Sequence, residues 1–123
     1  MNASRNLIVF AALNGAVAVA LGAFAAHGAA PAVKTLLTTG AGYQLTHAVL
    51  AVAIGAWTGR PALATLAGWL ASIGGLIFSI ALSMIALLSL PAMGAIAPIG
   101  GLLMIGGWLL LAVAAVRSQP SRG

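Results

Sequence analysis

Between Arg60 and Arg117 the sequence carries no charged side chain. No water-soluble domain has a surface of that kind, but a pair of membrane-spanning helices does. Each crossing needs about 20 apolar residues, at 1.5 Å of rise each, to cover about 30 Å of hydrocarbon. The N-terminal half repeats the pattern with two further apolar runs, set apart by glycine, proline and basic residues. The expected fold is therefore all-α: one domain, residues 1–123, built as a bundle of four transmembrane helices over about residues 7–26, 40–58, 63–88 and 98–116. Composition agrees, since 4% charged and 63% hydrophobic residues contrast with about 25% charged in soluble domains.

The connections carry the remaining signals. Gly28, following His27, is placed for a left-handed helix cap, and Pro31 stops simple continuation. Val33, Leu36 and Leu37 recur at helical spacing with Lys34 and Thr35 between them, which predicts a short interfacial helix over about residues 31–38. Trp57 beside Gly59, Arg60 and Pro61 reads as an aromatic and basic anchor at a membrane boundary. Pro98 suits the first turn of the last helix, and residues 117–123 read as a mobile polar tail. Arg5 and the Ala23, Phe24, Ala25 triplet resemble a secretory signal, but the apolar run is longer than a signal core, so a helix is expected.

Charge sets topology. Arg5, Arg60, Arg117 and Arg122 fall on one side of a four-span arrangement and Lys34 alone on the other, which predicts both termini in the cytoplasm. The basic residues are scattered, so they describe orientation in a bilayer and no nucleic-acid interface is expected.

Absent residues exclude most chemistry. The chain has no Asp, Glu or Cys, hence no carboxylate acid–base pair, no acidic relay and no thiol nucleophile. Two histidines without a third ligand make no complete metal site, so no metal or cofactor is expected. No G-x-S-x-G elbow and no phosphate loop occurs. Catalysis is not expected.

Polar groups concentrate in residues 21–50, which hold both histidines, the only tyrosine and the only lysine. Tyr43 and His47 are four apart and Gln44 three before His47, so they share a helical face. With His27 at the end of the first helix they form the candidate polar cluster near the outer face: His27, Tyr43, Gln44 and His47. Asn14, 13 residues before His27, is expected to lie too deep to join. The plain reading is interhelical hydrogen bonding; the sharper one is a proton-responsive histidine pair, because imidazole alone here changes charge near neutrality. Gly68, Ser72, Gly75, Ser79 and Ser83 form a small-residue stripe, and Gly100, Gly101, Gly106 and Gly107 give the last helix further sites of close approach.

Four blocks, LGAFAAHG at residues 21–28, TTGAGYQLTHA at 38–48, GWLASIGGLIFS at 68–79 and GAIAPIGGLLMIGGW at 94–108, resemble the domain of unknown function 423 family. It includes the bacterial YgdD-like and animal transmembrane-protein-256-like proteins. The resemblance implies a compact multi-helix protein of the bacterial inner membrane or an animal organelle, and brings no established activity. Relatives often continue with Gly, Ser and Tyr after the position of Ser79, where this chain has Ile80, Ala81 and Ser83. Two functions follow as expectations. One is an accessory, scaffolding or self-associating membrane component that uses the small-residue stripe, with lipid and a homo-oligomer or another membrane protein as partners. The other is a channel or transporter for protons or a small solute along the polar cluster.

Overall fold

A computed structural model describes residues 3–118. The chain forms α1 (Ala3–His27), α2 (Pro31–Ala56), α3 (Ala62–Leu88) and α4 (Ala97–Arg117), with a 3-10 turn at Pro91–Ala95 before the last helix. Successive helices run antiparallel as neighbours: α2 packs between α1 and α3, and α3 between α2 and α4. Residues 119–123, including Arg122 and most of the expected tail, lie outside the described residues.

The second helix corrects the expected boundaries. No separate interfacial helix precedes it; α2 is continuous from Pro31, which occupies the first turn where its missing N–H is harmless. Leu37, Gly40, Ala41, Gln44, His47, Ala48, Ala51 and Ile54 lie along one buried face, so the apolar residues assigned to an interfacial segment begin the stripe that packs the span. Gly28 does not adopt the left-handed conformation; Gly59 (φ 77°) and Ser89 (φ 53°, ψ 46°) do, in the α2–α3 turn and at the end of α3.

Three segments, Ser4–His27, Ala62–Leu88 and Pro91–Arg117, are long and apolar enough to cross a membrane. The fourth expected span is not among them. Tyr43, Gln44, Thr46 and His47 dilute the hydropathy of α2, although its 26 residues reach about 39 Å at 1.5 Å each.

The packing is inverted in size relative to a water-soluble bundle. Alanine, glycine and serine fill the helix interfaces, as Ala64, Ala67, Gly68, Ala71, Ser72, Gly74 and Gly75 do on α3. The large aliphatic residues, such as Leu13, Val19, Leu102 and Leu109, face outward. That division suits a lipid solvent, in which burying leucine gains nothing over leaving it in the tails and close backbone contact supplies the attraction. At the end that holds Arg5, Arg60 and Arg117, Leu7, Ile54, Ala64 and Ala114 bring all four helices into one apolar cluster. There the Gly55 carbonyl accepts hydrogen bonds from the Ser4 hydroxyl at 2.7 Å and Arg60 at 3.4 Å.

Candidate functional site

The small-residue stripe of α3 sets the distance at which α2 lies. A Cβ on Gly75 would stand 3.3 Å from Gln44 Cα and 3.4 Å from the His47 side chain, and one on Gly40 would stand 3.2 Å from Ser79 Cα. Gly68 meets Leu7 of α1 and Ile54 of α2, and the buried Ser72 turns its hydroxyl back onto the Gly68 carbonyl at 2.8 Å. Within the chain, α1 and α2 occupy the stripe from Gly68 to Ser79, and Ser83 at its end is half-buried.

The last helix divides its glycines. Gly100 lies on α3, where an added Cβ would come within 2.6 Å of Phe78 N and 2.7 Å of Gly74 O; at Gly107 the Ala67 carbonyl and Ala71 stand at 3.0 Å. Gly101 and Gly106 have nothing within 4 Å, so neither is a packing glycine. They sit roughly 100° around the helix from their neighbours.

Gln44 and His47 share the buried face of α2 but bond to different helices. Gln44 Nε2 donates to Asn14 Oδ1 at 2.9 Å, joining α2 to α1. His47 accepts at Nε2 from the Trp108 indole N–H at 3.0 Å, joining α2 to α4, while its Nδ1 lies 2.7 Å from the Tyr43 carbonyl of its own helix. With Nδ1 donating to that carbonyl and Nε2 accepting from Trp108, both ring nitrogens are in use.

The expected four-residue cluster is therefore not brought together. His27 is exposed at the end of α1. His47 stands 16 residues into α2, or about 24 Å along its axis, because the helix starts at Pro31 and not near Gly40. The same shift explains the pairing of Asn14, which is not too deep: it lies 13 residues before the end of α1, and Gln44 lies 13 residues after the start of α2. Tyr43, 51% exposed, faces outward and stands in a row of rings. Its ring is 5.2 Å from Phe78 and 6.3 Å from His47, and His47 is 6.0 Å from Trp108. Thr39, Tyr43, His47, Phe78, Gly101 and Trp108 line a groove between α2 and α4.

A family model described as a protein of unknown function, DUF423, matches residues 21–101. The chain belongs to the DUF423 family. Comparisons with curated proteins and with solved structures gave no match. The DUF423 match takes in Gln44, His47, Gly75 and Ser79, and stops short of the hydrogen-bond partners Asn14 and Trp108. Among the described residues of this DUF423 protein no group of three or more His, Cys, Asp or Glu side chains gathers to hold a metal.

The Asn14–Gln44 bond leaves polar atoms unmatched. Asn14 Nδ2 reaches its own helix at the Phe10 carbonyl, 3.3 Å away, so Asn14 Oδ1 is the acceptor for Gln44 Nε2. That leaves Gln44 Oε1 buried without a partner, and Ser79 Oγ is likewise buried and unpartnered. Ser72 shows what a helical serine does in an apolar interior, bonding the carbonyl one turn back; Ser79 does not do so.

Proposed function

We propose that this DUF423 protein is a multi-pass component of the bacterial inner membrane that works by self-association, as an accessory or scaffolding element without catalytic chemistry. All four helices span in this reading, because α2 is packed between α1 and α3. Both termini face the cytoplasm with Arg5, Arg60 and Arg117, and Lys34 faces the opposite side.

The observation that carries the reading is the outward face of α2. Tyr43 is half exposed, and Thr38, Thr39 and Thr46 are exposed beside it, midway along a helix whose surroundings are hydrocarbon. Polar groups at that depth favour a protein neighbour over lipid. The Thr46 hydroxyl donates to the Gly42 carbonyl of its own helix at 2.9 Å and so offers an acceptor, while the Tyr43 hydroxyl both donates and accepts, so this face is complementary to itself across a two-fold axis. The proton or solute path has no comparable support, since His27 and His47 lie far apart and both nitrogens of His47 are engaged.

The absence of cysteine makes single-cysteine crosslinking clean. In native membranes Thr46→Cys should form a disulfide-linked dimer on oxidation and Leu13→Cys, on the outer face of α1, should not. Equal crosslinking at the two positions, or none at Thr46→Cys, refutes the interface. Impermeant thiol reagents applied from outside the cell should label Lys34→Cys and leave Ser118→Cys unlabelled.

A further inference from the structure

A cavity of about 330 Å³ lies between α1 and α3 over α2, on a different side of α2 from the ring row. Gln44, Ser79 and Ser83 supply its polar lining, and Val17, Leu21 and Met84 are among its apolar walls. Ile80, Leu87 and Leu88 also line it and are 44%, 49% and 61% exposed, so access is from the lipid. No charged side chain takes part, which excludes an ionic headgroup. The volume far exceeds the roughly 30 Å³ share of one water molecule.

The unpartnered atoms select the ligand. Gln44 Oε1 only accepts, so its partner must carry an O–H or N–H; Ser79 Oγ can donate in return. A ketone, ester or ether would leave Gln44 Oε1 unmet. From this conjunction of two buried, unpartnered polar groups with a lipid-facing apolar cavity, we propose that the α1–α3 cavity binds a neutral, membrane-dissolved hydroxyl compound, an alcohol or phenol. Its O–H donates to Gln44 and accepts from Ser79. Met84, with its unbranched adaptable side chain, gives the wall freedom to fit around the apolar body.

The test uses the full chain in mild detergent and the photoreactive alcohol 3-azioctanol, with labelled residues mapped by mass spectrometry. Labelling should fall on cavity residues such as Val17, Leu21 or Met84. It should be blocked by 4-pentylphenol or 1-octanol, whose relative potency tells an aromatic from an aliphatic hydroxyl. The methyl ether 4-pentylanisole, matched in shape but without a donor, should compete about tenfold more weakly, the value of one hydrogen bond. Ser79→Ala should reduce labelling several-fold while leaving thermal stability unchanged or higher, since only an unpartnered hydroxyl is removed. Three results overturn the proposal: labelling away from the cavity, equal competition by the phenol and its ether, or full labelling of a folded Ser79→Ala protein.

Discussion

Adjacent glycines of the last helix, Gly100 and Gly101, should respond in opposite ways to a single methyl group. In Gly100→Ala the new Cβ meets Phe78 N at 2.6 Å, Gly74 O at 2.7 Å and Phe78 Cα at 3.0 Å. These are backbone atoms of α3 and cannot rotate away. Reaching the roughly 3.5 Å of a favourable contact requires α3 and α4 to part by about 0.9 Å, and a gap of 0.5–1 Å forfeits a quarter to a half of each van der Waals contact it opens. Overpacking of this kind costs about 1–3 kcal/mol; the close backbone contact places Gly100→Ala near 2 kcal/mol, or about 30-fold in the unfolding equilibrium. Gly101→Ala adds its methyl to open space and reduces the freedom of the unfolded chain, so it should be neutral or stabilise by up to about 1 kcal/mol. Gly107→Ala, with contacts at 3.0 Å, should fall between them, and Gly106→Ala should match Gly101→Ala. Denaturation in mixed micelles with increasing SDS, followed by circular dichroism, orders the four variants. Equal midpoints for Gly100→Ala and Gly101→Ala would refute the assigned rotation of α4.

Two further tests address the hydrogen bonds that α2 makes to α1 and α4. Asn14→Leu and Gln44→Leu should each destabilise, and the double variant should lose less than the sum, with a coupling of about 0.6–1.7 kcal/mol typical of hydrogen bonds within membranes; zero coupling by the same denaturation would remove the bond. Trp108→Phe and His47→Ala should likewise be coupled, and proteoliposomes with an internal pH dye should show no proton flux that depends on His47. A wild-type flux abolished by His47→Ala would restore the proton path.

The apolar runs made the helices legible because lipid demands long uncharged segments. The start of α2 was obscured by Thr38, Thr39 and Gly40, which look like a break to any measure of hydropathy. In the fold they are exposed threonines and a glycine pressed on Ser79. Once the turn is placed at residues 28–30, counting outward brings Asn14 and Gln44 to the same depth, so that pair was within reach of the sequence. The His47–Trp108 bond was not, because nothing local fixes how α4 is rotated against α2. The glycine doublets pose the same problem: each offers two candidate faces about 100° apart, and only the helix on the other side decides between them.

The inverted distribution of side-chain size has a consequence for how this protein tolerates change. A water-soluble core built from leucine and phenylalanine is usually damaged by losing volume. Here the interfaces are lined by alanine, glycine and serine, and nearly every available substitution adds atoms. In a complete mutational scan, harm at interior positions should track the volume gained, with valine at Ala71 or Ala67 worse than serine despite its greater hydrophobicity. At outward positions such as Leu102 and Leu109 the ranking should follow lipid solubility instead, with size nearly irrelevant. The two rankings, read without any structure, would trace which side of each helix faces its neighbours.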